Sequence, residues 1–528
     1  MGKQFRNHLA FILVILMILA VFLGFSYQKS GMFIDEIHTY GLSNGYYTPF
    51  LIDVEKGNVI DTVLTRNDFY EYVAVGEQER FAFESVYYNQ TIDVHPPLYY
   101  YLIHGVSSLF PGVFSKWIGL SLNLLLFAVT LLFLYLIPLR LKHDRTVAVM
   151  TVILYGLSTM GMSTALMIRM YILLTLLTVA LVYLIICYAQ TSRPVYAVAS
   201  GLCIFLGFLT NYYFSLYAFF LCACLDLWFL IRKEYRNFLV FSASALSGVA
   251  AFLLYWPSFF VHMSRDALVS GTNAVSNLMQ ISASLASLFR YTAAVVKDAL
   301  VPVLAGILAV SFLLVALRKN PGLRKKIRIS PMLIIIVAPA FLTLFLVAAI
   351  CPVFAERYVY NIVPVFVLFV AFVLDLIGQC AEKTVTARNK RLAIWATLAA
   401  SLVMLVFNKP NYLYDMHGIY NSQLAEHEDP ICIFFDNNYV SPLSENLIQL
   451  MYFDEVFVTN SSGEALHSYL EEKGHPEEVI VFVDTSEFWS SGFDADEVLT
   501  EFISATEYDS YTHLYTMGLA SAYVVSAE

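Results

Sequence analysis

Eleven long, predominantly apolar runs dominate this chain, near 8–27, 115–138, 146–166, 169–188, 194–210, 212–231, 238–256, 300–317, 331–350, 358–379 and 392–407. A bilayer core about 30 Å thick takes about 20 apolar residues per helical crossing, and a helix satisfies its own backbone hydrogen bonds there. The runs therefore predict a polytopic α-helical membrane protein with about 11 transmembrane helices. Composition agrees, with 59% hydrophobic and 14% charged residues and a mean hydropathy of +0.67, where roughly a quarter of a soluble protein is charged.

Charge divides the chain further. Residues 408–528 hold 22 of the 41 acidic residues but only Lys409 and Lys473 among the 31 basic ones, so the tail is near -20 and the remainder near +10. This split excludes a nucleic-acid partner and separates a membrane body, 1–407, from an acidic soluble domain, 408–528. The tail alternates apolar runs, 431–435, 456–458 and 479–483, with helix-like stretches at 442–452, 462–473 and 494–505. That rhythm predicts a small extracytoplasmic α/β C-terminal domain.

Orientation follows from the short basic connections: Arg140, Lys142 and Arg145; Arg193; Arg232, Lys233 and Arg236; the cluster from Arg318 to Arg328; and Lys383 to Arg391. Basic connections face the cytoplasm. The expected protein is multi-pass in the cell membrane, with a cytoplasmic N-terminus and outer loops at 28–114 and 257–299. The start, Lys3 and Arg6 before the run from Leu9 to Phe25, reads as an uncleaved first crossing, because no small-residue cleavage site follows at Tyr27-Gln28-Lys29. The apolar stretch 97–112 is too short to span and reads as an interfacial helix on the outer leaflet. Of seven cysteines, four lie in apolar runs, Cys380 adjoins a basic loop, and only Cys351 and Cys432 read as exposed, which is no disulfide framework.

Polar residues at the outer face are the informative ones, since an ionisable group near hydrocarbon costs about 2.5–3.5 kcal/mol on insertion scales. Asp35 and Glu36 follow the first crossing. Adjacent carboxylates on a helix do not share a face, so Asp35 suits a general base with Glu36 a positioner or metal ligand. The plainer reading is that both favour a helix N-terminus electrostatically. In Asp93-Val94-His95-Pro96-Pro97, the paired prolines stiffen the chain and pin Asp93 and His95 where it meets the bilayer. Arg169 and Arg357 are lone cations at outer helix ends, suited to a phosphate at headgroup depth, or else to snorkelling or, for Arg357, pairing with Glu356. His262 is a weak metal candidate with Glu36 or His95, and otherwise a surface histidine. The sequence requires no cofactor and leaves a divalent metal open.

The helix interiors carry almost no charge, Asp226 and Asp375 lying near cytoplasmic ends, whereas an ion-coupled transporter places ionisable groups near mid-bilayer. No Walker lysine motif occurs. A transporter or flippase of lipid-linked saccharides is thus the alternative to an enzyme.

The order Asp35-Glu36, His95-Pro96-Pro97-Leu98-Tyr99-Tyr100, Arg169-Met170-Tyr171, Thr210-Asn211-Tyr212-Tyr213 and Glu356-Arg357-Tyr358 resembles the GT-C membrane glycosyltransferases over roughly residues 1–407. It is most similar to bacterial protein O-mannosyltransferase-like proteins of glycosyltransferase family 39, with the lipid A aminoarabinose transferases as cousins. The resemblance implies a GT-C fold and inverting transfer of a sugar from a polyprenyl-phosphate donor to a protein, lipid or glycan acceptor at the outer membrane face. It implies Asp35 as base with Glu36 beside it, and Arg169 and Arg357 as contacts to the carrier phosphate. Asp93, His95, Tyr171, Glu356 and Tyr358 are the further substrate-binding candidates, although His95 stands where relatives carry lysine. Tyr99, Tyr100, Tyr101 and Tyr171 suit either sugar stacking or an interfacial aromatic belt.

Overall fold

The computed structural model describes residues 2–51, 59–141, 145–269, 281–319, 330–351, 354–380, 387–427, 430–437, 440–486 and 492–527. Lys142, residues 324–328 and Lys383, among the basic connections above, lie outside these, as do residues 270–280 of the expected loop 257–299. The chain divides into two compact units. One comprises Met1–Ser26, Val94–Tyr99 and Leu120–Asn411, and the other Tyr27–Asp93, Tyr100–Gly119 and Tyr412–Glu528. The second unit thus joins residues 412–528 to two earlier stretches, 27–93 and 100–119.

The first unit is helical. Among the described residues, eight helices are long and apolar enough to cross a membrane, or up to ten spans if each of two bent pairs counts as one. Three of the eleven apolar runs do not form single long straight helices, each for a local reason. The run 146–166 is broken into Arg145–Gly156 and Thr159–Leu166, bent by 62°, where the Ser158 side chain accepts from the Gly161 N–H and starts a new helix. The run 300–317 follows Ser284–Asp298 at a 96° bend, and the run 194–210 yields only the shorter helix Pro194–Phe208. Hydroxyls inside these helices bond back one turn, as Thr175 does to the Tyr171 carbonyl and Thr178 to that of Leu174, each at 2.8 Å. The helices Pro194–Phe208 and Tyr235–Tyr255 meet backbone to backbone at Gly201 and Gly248, where a Cβ on either would overlap the facing chain. Small residues permit that approach in lipid.

The second unit is built on a six-stranded sheet of order β1-β3-β2-β4-β6-β5. Its strands are β1 Thr62–Thr65, β2 Ile431–Phe435, β3 Glu455–Thr459, β4 Glu478–Asp484, β5 Ser510–Met517 and β6 Ala520–Ser526. The central strands β3, β2 and β4 are parallel, with Ile433 opposite Phe457 and Val481. Such strands are covered on both faces and read as continuous apolar runs. All of Cys432–Phe435 and Val479–Asp484 is buried. The expected exposure of Cys432 is therefore corrected: it is fully buried in β2, where a thiol packs as a small hydrophobe. Helices Glu464–Glu472 and Ala495–Ala505 pack Leu466, Leu470, Leu499 and Phe502 against the sheet. β1 comes from the stretch 27–93 and pairs antiparallel with β3, Thr62 facing Val458. The stretch 97–112 contains a ten-residue helix, Leu98–Ser107, with Tyr99, Tyr100 and Ile103 fully buried and Leu109 and Phe110 exposed beyond it.

Candidate active site

In the second unit, Asp35 and Glu36 occupy the first turn of the helix Ile34–Asn44. The two carboxylates have different surroundings, as their neighbouring positions dictate. Asp35 is half-buried, whereas Glu36 is fully buried. The Glu36 Oε2 accepts from the Phe33 backbone N–H at 2.7 Å and from the Lys29 ammonium at 2.9 Å. Lys29 is itself fully buried, donates to the Tyr412 carbonyl at 2.6 Å, and lies 5.2 Å from the centre of the Tyr414 ring. Burial pulls the Lys29 pKa below its ordinary value, against the opposing pull of Glu36.

The segment facing this turn is tightly fitted. The Ser30 N–H donates to the Leu413 carbonyl at 2.9 Å and its hydroxyl to the Tyr414 carbonyl at 2.5 Å, while Phe33 stacks on Tyr414 at 6.3 Å. Tyr412 and Tyr414 both have left-handed backbone, φ 70° and 52°, a conformation that disfavours side chains other than glycine. A Cβ on Gly31 would overlap the imidazole of His417, so glycine permits this close approach. Asp93 ends the helix Phe83–Ile92 in the same unit and is half-buried.

The first unit holds the two arginines. Arg169 is 4% exposed and sits in the break between Thr159–Leu166 and Tyr171–Thr191, its N–H donating to the Met167 carbonyl at 2.8 Å. One buried amide fixes this break: Asn123 donates to the Ala165 carbonyl at 2.9 Å and the Met167 carbonyl at 2.8 Å. The same Asn123 accepts from the Tyr99 hydroxyl at 2.8 Å, so the chain just after His95-Pro96-Pro97 and the Arg169 turn share one anchor. His95 is half-buried, and Tyr171 is buried edge-on to Tyr360, with ring centres 6.3 Å apart.

Glu356, Arg357 and Tyr358 lie in the 3-10 helix Glu356–Ile362. The Asn411 amide donates to Glu356 at 3.1 Å, and the Arg357 guanidinium lies 5.5 Å from the Tyr358 ring centre. Tyr358 stacks on Tyr213 at 5.0 Å, and the Tyr213 hydroxyl bonds the Cys351 thiol at 3.0 Å. Asn211 accepts from the Tyr213 N–H at 2.8 Å; this turn sends Tyr212 instead to Trp256 and His262. The Trp256 indole donates to the Tyr212 hydroxyl, which bonds the His262 Nδ1, both at 2.9 Å. His262 is fully buried, not a surface histidine, because these bonds replace the water its ring would lose. Among the described residues no three His, Cys, Asp or Glu side chains converge as a metal site would require, and Glu36 and His262 have protein partners in the roles just given.

Sequence reasoning missed two anchors. Asn123 is detectable as a lone amide inside an apolar run, and Lys29 as a lysine seven residues before Glu36. Nothing local marks their partners.

Residues 94–260, about a third of the chain, match the family model of dolichyl-phosphate-mannose-protein mannosyltransferases. The structure is similar to the crystal structure of ArnT from Cupriavidus metallidurans bound to undecaprenyl phosphate, with a TM-score of 0.53 and 10% identity over 98% of each chain. The apo state of ArnT from the same organism gives a TM-score of 0.49 and 12% identity over 96% of this chain and 97% of that one. No curated protein matches by sequence. This multi-pass chain therefore has the fold of that ArnT structure, the architecture expected from the motifs.

Proposed function

We propose that this GT-C-fold protein is a glycosyltransferase that moves a sugar from a polyprenyl-phosphate donor to an acceptor at the outer face of the cell membrane, with inversion. The observation that carries the reading is the fold shared along 98% of both chains with a protein crystallised with undecaprenyl phosphate, and the mannosyltransferase match across residues 94–260 supports it. The positive-inside pattern puts the N-terminus in the cytoplasm and the sheet outside.

The chemistry needs a carboxylate to take the acceptor's proton and fixed positive charge for the departing phosphate. Asp35 takes the first role. As the acceptor oxygen bonds the anomeric carbon from the face opposite the phosphate, its proton passes to the Asp35 carboxylate. The bond from the anomeric carbon to the phosphate oxygen breaks, and the polyprenyl phosphate leaves with that electron pair. Arg169 and Arg357 supply the charge that stabilises it, an arginine fork being matched to phosphate. Glu36 supports Asp35 rather than touching substrate, while Asp93, His95, Tyr171, Glu356 and Tyr358 line the donor or acceptor.

The test is release of free polyprenyl phosphate from a panel of radiolabelled polyprenyl-phosphate sugars, with membrane extract as acceptor source. Wild-type protein turns over one donor, and Asp35→Asn, folded and inserted, loses about 10²–10⁴-fold in rate. Full activity in that variant removes Asp35 as base. A folded wild type without turnover of any donor favours the transport of lipid-linked saccharides instead.

A further inference from the structure

We infer that Lys29 is the positioning residue for Asp35: with Glu36 it forms a charged latch that holds the turn carrying the base. This rests on the assignment of Asp35 proposed above. A lysine directly after an apolar helix normally extends its ammonium to water, yet Lys29 is fully buried and points at Glu36 and at the Tyr412 carbonyl. The Glu36 Oε2 also receives the Phe33 N–H, so lysine, helix cap and carboxylate close one ring over residues 29–36. Asp35 lies inside that ring and is itself half-buried.

The other side of the latch is equally specific. Tyr412 and Tyr414 are held in left-handed backbone, and their carbonyls are the acceptors for Lys29 and the Ser30 hydroxyl. Strain of this kind persists where surroundings over-determine it and concentrates at functional sites. Apolar side chains of similar size hold a fold as well as a buried ion pair does. What the ion pair adds is direction. A carboxylate that must meet an acceptor hydroxyl within a few tenths of an ångström depends on such direction in the rate rather than in substrate binding.

The experiment uses the full chain in detergent, comparing wild type with Lys29→Met/Glu36→Gln, which removes both charges together, with Lys29→Arg, and with Ser30→Ala. Two readouts are taken: donor turnover, split into kcat and KM, and hydrogen exchange in peptides covering 30–36 and 412–417. The double variant is expected to melt near wild type, exchange faster in both peptides, and lose at least tenfold in kcat while the donor KM moves less than threefold. Lys29→Arg is expected to recover part of kcat. Ser30→Ala, the milder change, is expected to lose about threefold in kcat alone, and it decides the matter if the double variant does not fold. Wild-type kcat in the folded double variant, or a loss confined to KM, overturns the proposal. So does wild-type kcat in Ser30→Ala. Should wild type show no transfer with any donor, the reading of the reaction has failed, and the exchange data still judge the latch: unchanged protection in the double variant refutes it.

Discussion

The Arg169 turn and the Asp35 turn each flank a long apolar helix, but they are fastened by different chemistry. Arg169 sits on a break held by one neutral amide, Asn123, reaching two carbonyls and a tyrosine hydroxyl. Asp35 sits on a turn held by a buried ion pair and a strained facing segment. An amide loses less than a charge when it leaves water, so a neutral anchor suits a unit made of membrane helices. A charged anchor is costlier to bury and less tolerant of error, and it fixes direction.

The sharpest way to break this comparison is to remove one charge. Lys29→Met leaves Glu36 buried without its cation and is expected to destabilise the protein by about 3–5 kcal/mol, most of it restored by adding Glu36→Gln; denaturant titration of the pair of variants measures both. If the single and double variants melt alike, the ion pair is not the anchor. Asn123→Leu is expected to cost about 2–3 kcal/mol, because the Tyr99 hydroxyl and two carbonyls lose their partner in an apolar setting. A thermal melt in detergent reads this. A loss as large as that of Lys29→Met would erase the distinction between neutral and charged anchors.

Gly31→Ala, which crowds the His417 ring, is expected to cost about 1–3 kcal/mol and to be relieved by His417→Ser, a rescue visible in the same melts. The effect smallest near neutral pH grows only as the medium is acidified. Burial first and then the Lys29 charge push the His417 pKa down to about 4, so the folded protein keeps this ring neutral. The rings of Tyr414 and Tyr420 pack against it, with ring centres at 4.9 and 6.1 Å. The unfolded chain takes up the proton first, at a pKa of about 6.5. Stability from this residue is therefore complete above about pH 6.5 and falls by up to about 1.4 kcal/mol per unit as the pH drops toward 4. His417→Gln is expected to flatten melting temperature against pH in that window; an unchanged slope assigns it to other groups.

Much of the architecture was legible because hydropathy and period are local. The apolar runs mark the membrane helices, and 431–435, 456–458 and 479–483 mark β2, β3 and β4. The helix-like stretches 462–473 and 494–505 hold Glu464–Glu472 and Ala495–Ala505. The bends at 157–158 and 299 were not read, because a single serine such as Ser158 inside an apolar run is a helix-starting residue type that more often sits within a continuing helix. β1 was invisible too: four residues, Thr-Val-Leu-Thr, mostly exposed, become a strand only when β3 supplies the ladder. At the candidate site, the residue types and their order were readable, but not their separate surroundings. That Glu36 faces inward depends on Lys29 and on Tyr412, a residue 383 positions away from that lysine. The burial of His262 depends likewise on Tyr212, 50 positions distant.

The pairing of β1 with β3 also governs how the sheet can be made. Its edge strand emerges from the ribosome nearly 400 residues before the strand it joins and must wait while the membrane helices are threaded. The acidic tail is thus not a cassette to be cut out or grafted at residue 412: severed from residues 62–65, β3 presents a bare row of amides and carbonyls, an invitation to pair with another chain.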